Sequence, residues 1–185
     1  MKLLIAGLGN AESRYAHTRH NIGFDIVLAF VTQHGGQLTE ERYAYRSRVD
    51  WKEHTFICIC PTTYVNESGT AVKYWMEKEG IPAEHIFVIL DDLSIPLDRI
   101  RIRAGGGSGG HNGLRSIETA LETENYPRLR FGIGNHFPEG MQAGYVLGAW
   151  RKEEEPIVKA KIGLCIGAIE LLAEAGIAAA MNKYN

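Results

Sequence analysis

The stretch that most constrains the fold lies in the middle of the chain, where six of the 21 glycines fall within residues 105–113. Glycine has no Cβ, so its backbone reaches positive φ and lies close to a bound molecule. The apolar residues Leu114, Ile117 and Leu121 follow at helical spacing, and the first N–H groups of a helix are free to bind an anion or a carbonyl oxygen. No Gly-Lys-Ser/Thr follows, which argues against a P-loop. The stretch is predicted to be a ligand-facing loop that presents Asn112.

Length and composition predict a single domain over residues 1–185. A chain of 185 residues, 45% hydrophobic and 23% charged, is large enough to bury a core and ordinary for a globular protein. The three cysteines, Cys58, Cys60 and Cys165, have no metal-like spacing, and Cys58 and Cys60 alternate within an apolar run, so these two are expected to be buried thiols. Such usage suits a reducing cytoplasm. No signal peptide or membrane-spanning run is expected, and the protein is predicted to be cytoplasmic.

Buried strands alternate with amphipathic helices along the chain, which predicts an α/β fold. The most apolar run, residues 86–90, ends at Asp91-Asp92. Open α/β sheets place their sites at the carboxyl ends of such strands. The other predicted strands are residues 2–8, 43–50, 54–60, 99–103 and 128–131, and the predicted helices begin near Asn21, Gly69, Leu114 and Lys152.

Neutral polar side chains gather at the ends of these predicted elements, around one histidine and one aspartate. His20 is the natural proton acceptor near neutral pH. A carboxylate such as Asp91, bonded to the other ring nitrogen, would orient the imidazole and favour its charged form. The surrounding hydrogen-bonding side chains are Asn10, Asn21, Asn66 and Asn112.

The expected attacking group is water, because no serine or cysteine has the setting of a nucleophile. Ser108 lacks the Gly-x-Ser-x-Gly elbow, and Ser68 does not directly follow a strand. No histidine–carboxylate cluster has zinc spacing, so neither a metal nor another cofactor is expected.

Two segments extend beyond this core pattern. Residues 135–148 are rich in glycine and proline with little periodicity, which is typical of a mobile flap. Residues 152–182 are predicted to form a C-terminal helical segment, amphipathic to about Ala175 and alanine-rich beyond it.

Arginines alternate with apolar residues before and after the glycine loop. Arg99, Arg101 and Arg103 precede it, and Arg128 and Arg130 follow it. Side chains on a strand alternate between its faces, so both stretches are predicted to carry a basic outer face. A net charge of −2 argues against indiscriminate nucleic-acid binding, but a local basic patch remains compatible with it.

Several ordered motifs resemble bacterial-type peptidyl-tRNA hydrolases, and together they span most of residues 3–148. The motifs are Gly7-Leu8-Gly9-Asn10, Thr18-Arg19-His20-Asn21-x-Gly23, Pro61-Thr62-Thr63-Tyr64-x-Asn66-x-Ser68-Gly69, Asp91-Asp92-Leu93, Gly105 to Leu114 and Arg130-x-Gly132-Ile133-Gly134. The resemblance implies a monomeric, single-domain α/β/α sandwich around a twisted mixed β-sheet. It also implies an enzyme that cleaves the ester between peptide and tRNA in peptidyl-tRNA released by the ribosome.

The resemblance also implies roles for individual residues. His20 would be the general base, Asp91 would support it, and Asn10 would sense the acylated amino group. The substrate site would be lined by Tyr15, Asn21, Tyr64, Asn66 and Asn112, while Arg103 and Arg130 would hold a tRNA phosphate.

Five residues depart from the family's pattern. Ala11-Glu12 replace Pro-Gly after Asn10, Val65 replaces a methionine, and Leu90 replaces a histidine, with Ser94 at a nearby position where an acid is common. Glu12 is expected to point to solvent.

Two alternative functions stay open at this point. One is a non-catalytic RNA-binding module on the same scaffold, and the other is a nucleotide-binding oxidoreductase. The second rests only on Gly7-x-Gly9, and Glu12 stands where its fingerprint needs a third glycine.

Overall fold

The computed structural model describes residues 1–185, and its strands form one seven-stranded sheet in the order β2-β3-β4-β1-β5-β7-β6. The strands are β1 (Lys2–Gly7), β2 (Thr39–Glu41), β3 (Ala44–Trp51), β4 (His54–Pro61), β5 (Ile86–Asp92), β6 (Ile100–Arg103) and β7 (Arg128–Gly132). The four central strands run parallel, and β2–β3, β3–β4 and β6–β7 pair antiparallel. The predicted mixed sheet is therefore confirmed.

Helices cover both faces of this sheet. They are α1 (Ile22–Gln33), α2 (Ser68–Glu79), α3 (Asn112–Leu121), α4 (Gln142–Val146), α5 (Glu155–Ala175) and α6 (Ile177–Tyr184). The apolar faces of α1 and α5 pack on one side of the sheet, and those of α2 and α3 pack on the other. Because β1 and β5 lie between these two cores, their side chains are buried on both faces, as all-apolar strands require. The architecture is the expected α/β/α sandwich.

The C-terminal part of the chain differs in detail from its prediction. The long helix begins at Glu155 with Pro156 in its first turn, where a missing N–H costs nothing. It ends at Ala175, and the alanine-rich tail forms a separate helix, α6, after Gly176 at φ 89°. Residues 135–148, predicted to lack periodicity, contain the one-turn helix α4. That this flap segment moves stays a prediction.

No helix combines the length and the apolar character needed to cross a bilayer. All three cysteines are buried and free, as predicted for Cys58 and Cys60. Burial raises the pKa of each thiol far above its ordinary value.

Candidate active site

A cleft of about 810 Å³ opens at the carboxyl ends of the central parallel strands. Its walls come from the loop after β1, the turn before α1, the loop after β4, the end of β5, the glycine loop and α4. Of the residues predicted to form the site, the cleft is lined by Asn10, His20, Tyr64, Asn66, Asp91, Asn112 and Arg130.

Two glycines bring the His20 turn against the sheet. A Cβ on Gly7, at the end of β1, would lie 2.2 Å from the carbonyl oxygen of Gly23. A Cβ on Gly23 would in turn lie 2.5 Å from Leu8 N and 2.6 Å from Ile89 O. The first turn of α1 thus contacts the backbone of β1 and β5, which any larger residue would prevent. These glycines serve close packing, and the 3₁₀ turn Arg19–Asn21 is thereby set beside the end of β5.

His20 and Asp91 form the predicted pair. His20 Nδ1 lies 3.1 Å from each carboxylate oxygen of Asp91. The ring Nδ1–H donates to the carboxylate, which leaves Nε2 without a protein partner on the cleft side. Both side chains are mostly buried, so their interaction is weakly screened by solvent.

His111 is a third member of this cluster, and the sequence reasoning missed it. Its Nε2 lies 3.0 Å from Asp91 Oδ1, and its Nδ1 accepts a hydrogen bond from Gly113 N at 3.1 Å. Because Nδ1 accepts, the proton of the neutral ring lies on Nε2 and is donated to Asp91. The available signal was its position directly before α3, where a side-chain acceptor caps the helix.

The environment moves the pKa values of the pair in opposite directions. Burial alone lowers the pKa of His20, but the hydrogen bond and the charge of Asp91 outweigh it and raise that pKa above 6.5. Burial alone raises the pKa of Asp91, but hydrogen bonds from His111 and His20, together with their charges, hold it well below its ordinary value. Asp91 is therefore ionised at neutral pH, and its charge favours the protonated form of His20.

Asn10 is held in place by Asn21. The Asn21 amide accepts from Asn10 N at 2.9 Å and donates to Asn10 O at 2.8 Å. The side-chain oxygen of Asn10 accepts from Val65 N at 3.3 Å. Its amide NH₂ is left to donate into the cleft. Asn21, which was predicted to line the site, is buried behind Asn10 and does not line the cleft.

Arg128 holds the glycine loop, residues 105–113, in place. Arg128 is 1% exposed, so its predicted place on an outer basic face is wrong. Its guanidinium donates to the carbonyl oxygens of Gly107, Glu124 and Tyr126. Three carbonyl acceptors compensate the buried cation, which a count of alternating arginines could not reveal.

Arg130 and Arg103, which were both predicted to hold a tRNA phosphate, differ in their position relative to the cleft. Arg130 lies at the cleft wall, 3.4 Å from Gly107 O and 3.6 Å from a carboxylate oxygen of Asp92. Arg103 is exposed on β6 and bonds only the carbonyl oxygen of its neighbour Ile102. It pairs in register with Arg128 rather than with Arg130, so it lies beyond the cleft wall.

The two tyrosines predicted to line the site occupy different positions. Tyr64 is 65% exposed at the rim, where an aromatic face is free to stack on a ligand. Tyr15 does not line the cleft. Its ring lies 4.7 Å below the Arg14 guanidinium on the 3₁₀ turn Ser13–Tyr15, away from the cleft residues.

Comparison with known proteins agrees with this geometry. The sequence model of the family described as peptidyl-tRNA hydrolase matches residues 4–185. The chain belongs to the peptidyl-tRNA hydrolase family. The peptidyl-tRNA hydrolase of Parabacteroides distasonis is 44% identical over 185 residues, covering all of this chain and 99% of that protein. That of Porphyromonas gingivalis is 42% identical, with both chains fully covered. The crystal structure of peptidyl-tRNA hydrolase from Acinetobacter baumannii superposes with a TM-score of 0.92 at 34% identity, covering 99% of this chain and 95% of that one.

The departures from the peptidyl-tRNA hydrolase pattern leave the His20–Asp91 pair intact. Glu12 points to solvent, as predicted, and its carboxylate pairs with Arg14 at 3.0 Å. Val65 and Leu90 are buried beside the cleft and contribute apolar wall.

The same cluster has the ligand atoms that a metal ion would need. His20, Asp91 and His111 each offer one ligand atom, and these atoms lie within 4.8 Å of one another. They come from three separate segments, so sequence spacing could not show the convergence. Hydrogen bonds of 3.0–3.1 Å already account for this geometry. The expectation that the enzyme needs no metal or cofactor stays a prediction, and a chelator tests it.

Proposed function

We propose that this chain hydrolyses the ester bond between peptide and tRNA in peptidyl-tRNA, with water as the attacking group and His20 as the general base. The observation that carries the proposal is that His20 lines the cleft and bonds to Asp91 through Nδ1, which leaves Nε2 without a protein partner. The direct test is release of free tRNA from an N-blocked aminoacyl-tRNA by the purified protein.

The proposed chemistry begins with a water molecule beside His20 Nε2. The water oxygen attacks the ester carbonyl carbon while Nε2 takes its proton. The imidazolium that forms is stabilised by the ionised Asp91. The bond from the carbonyl carbon to the ribose oxygen then breaks, and the proton passes from His20 to that oxygen. The products are a peptide with a free carboxyl group and a tRNA with a free terminal hydroxyl.

The remaining cleft residues would bind substrate. Asn66 and Asn112 present amides at the cleft, which suit the carbonyl groups of the peptide and the ester. Tyr64 offers a ring at the rim for stacking on a base or a peptide side chain. We further propose that the protein acts as a monomer in the cytoplasm, where peptidyl-tRNA is produced.

Asn10 is proposed to distinguish acylated from free amino groups. Its side-chain oxygen already accepts from Val65 N, so its NH₂ would donate to the carbonyl that only an acylated substrate carries. In Asn10→Asp a carboxylate would repel that carbonyl and attract the ammonium of a free aminoacyl ester. We expect the ratio of kcat/KM for blocked over unblocked substrate to fall about 10-fold or more, since one charged hydrogen bond contributes roughly 1.5–3 kcal/mol.

The control is Asn182→Asp, which adds the same charge at an exposed position of α6. That variant should leave the ratio unchanged. An unchanged ratio in Asn10→Asp itself would make Asn10 structural and shift discrimination to Asn66, Asn112 or the glycine loop.

Arg130 and Arg103 are proposed to bind a backbone phosphate of tRNA. Guanidinium groups match phosphate oxygens, and each phosphate contact adds about one unit to the salt slope of binding. Arg130→Ala should raise KM for a full tRNA substrate about 10-fold and flatten its salt dependence. Arg103→Ala should act in the same direction but more weakly, because Arg103 lies further from the cleft wall.

A minimal ester that lacks the tRNA body separates binding from folding. Both variants should cleave the minimal ester as the parent protein does. Arg48→Ala, on the distant strand β3, should leave the kinetics unchanged with both the full and the minimal substrate. Equal losses on full and minimal substrates would mean that the two arginines support the fold and do not bind tRNA.

A further inference from the structure

We propose that Arg19 is a positioning residue that holds the general base and the α4 wall of the cleft in one fixed relation. The expected effect of Arg19 on catalysis rests on the proposed function, whereas its contacts with Tyr145 and Glu154 do not depend on that function. Arg19 directly precedes His20 in the 3₁₀ turn Arg19–Asn21. Tyr145, whose backbone it binds, lies on α4 between Gln142 and Val146, which both line the cleft.

The Arg19 side chain is 5% exposed and is enclosed by residues from the C-terminal half of the chain. One terminal nitrogen donates to Glu154 Oε1 at 2.9 Å, and the other donates to Tyr145 O at 3.0 Å. The guanidinium carbon lies 4.0 Å from the centre of the Tyr145 ring and 5.5 Å from that of Trp150. The planar guanidinium makes all four contacts at once, which an ammonium group could not do.

Backbone contacts continue the same connection. Arg19 N donates to Gly148 O at 3.0 Å, and Thr18 forms an isolated antiparallel bridge with Ala149. Tyr145 in turn donates its hydroxyl to Ile133 O at 2.5 Å, just beyond the end of β7. The C-terminal end of the segment predicted as a flap, residues 145–148, therefore contacts both the end of the sheet and the residue before His20.

Glu154 fixes the position of the Arg19 guanidinium. Its Oε1 accepts from Arg19 and also from Arg151 N at 2.7 Å, so the carboxylate is fixed at the entrance to α5. A buried ion pair adds little net stability over an apolar pair, but it penalises every arrangement that separates its charges. An alternative position of α4 would take Tyr145 O and the Tyr145 ring away from the buried Arg19 guanidinium, which Glu154 holds in place. His20 and the α4 wall are thus expected to move together or not at all.

The test is Arg19→Lys, which keeps the charge and an ion pair to Glu154 but cannot bond Tyr145 O at the same time. A misplacement of about 1 Å can cost on the order of 100-fold in rate. We therefore expect kcat to fall roughly 10- to 100-fold, with KM rising as the α4 wall loosens. We also expect the NMR titration midpoint of His20, whose ionisable neighbours are Asp91 and His111, to move down toward its ordinary value. That shift would follow from weaker contact with Asp91.

Arg46→Lys is the matched control. Arg46 pairs with Glu79 at 2.7 Å and lies over the Trp75 ring at 5.0 Å, so it has the same chemistry far from the cleft. Both variants should lose some thermal stability, and only Arg19→Lys should shift the His20 titration. Because that titration needs no substrate, it also separates failure of this proposal from failure of the proposed hydrolysis.

An unchanged kcat and an unchanged His20 titration in folded Arg19→Lys would overturn the proposal and make Arg19 a residue of the fold only. If Arg19→Lys does not fold, Glu154→Gln takes its place, since it keeps the acceptor oxygen and removes the opposing charge. A smaller shift of the His20 midpoint in the same direction is then expected. No shift in a folded Glu154→Gln protein would equally contradict the role.

Discussion

His20→Ala should lower kcat for N-blocked aminoacyl-tRNA by roughly 100- to 10,000-fold, the usual contribution of a positioned proton transfer. Nε2 of His20 is the one imidazole nitrogen of the His20–Asp91–His111 cluster that is left to accept a proton, because Nδ1 donates to Asp91 and His111 is engaged at both ring nitrogens. Steady-state kinetics at neutral pH measures the loss. KM should change little, since the small substitution leaves the asparagines and Arg130 in place.

His17→Ala is the control for this substitution. His17 lies three residues earlier, is 77% exposed at its side chain and pairs with Asp25 at 2.9 Å, outside the cleft. It should retain full activity. A folded His20→Ala protein with near-normal turnover would remove His20 from the chemistry.

Asp91→Asn should be nearly as damaging, on the order of 100- to 10,000-fold in kcat. Asp91 accepts from His20 and from His111, but an asparagine side chain has only one acceptor oxygen. Gly113 N–H fixes the tautomer of His111, so the oxygen of the introduced amide would turn to His111 and its NH₂ to His20. His20 Nδ1 would then have to accept, and the proton would lie on Nε2. That tautomer cannot take a proton from water.

The pH profile gives a second readout of the pair. Protonated His20 cannot act as a base, so kcat/KM should rise with pH through the pKa of His20, which Asp91 holds above 6.5. Removing the carboxylate charge should lower this midpoint together with the rate. Asp25→Asn, which disrupts the His17 pair on α1, should alter neither value. Full activity of Asp91→Asn with an unmoved midpoint would show that the observed contact has no catalytic role.

The order of the elements was predictable because it depends on local patterns. The apolar run before Asp91 and the predicted strands at residues 43–50 and 54–60 correspond to β5, β3 and β4 in the structure. α2 ends at Gly80, which has φ 65° and is followed two residues later by Pro82, a common pattern at helix ends. Local signals of this kind need no knowledge of the partner across the sheet.

Features that depend on contacts between distant segments were not predictable. Arg128 has the spacing of a surface arginine, and only its position beneath the glycine loop buries it. His111 gains its role from Asp91, 20 residues earlier on another element. The roles of His20 and Asp91 could be suggested because each lies at the end of a recognisable element and their chemistry is complementary. The family resemblance supplied the roles of Asn10 and Arg130, which remain proposals.

The flap segment illustrates the same limit. Residues 135–148 contain four residues that are glycine or proline, which favours irregular structure. Their order comes from Arg19 and from Ile133 O, both outside the segment. A sequence pattern indicates the conformation that a segment favours by itself, whereas these contacts come from residues elsewhere in the fold.

The measurement that tests the central claim most directly compares deacylation of one N-blocked aminoacyl-tRNA with that of the same tRNA unblocked, each with and without a chelator. The account predicts rapid release of tRNA from the blocked substrate, at least about 100-fold slower release from the unblocked one, and no effect of the chelator. Binding of the blocked substrate without hydrolysis would instead indicate a non-catalytic RNA-binding protein. Equal cleavage of both substrates, or loss of activity with the chelator, would contradict the proposed discrimination or the metal-free mechanism.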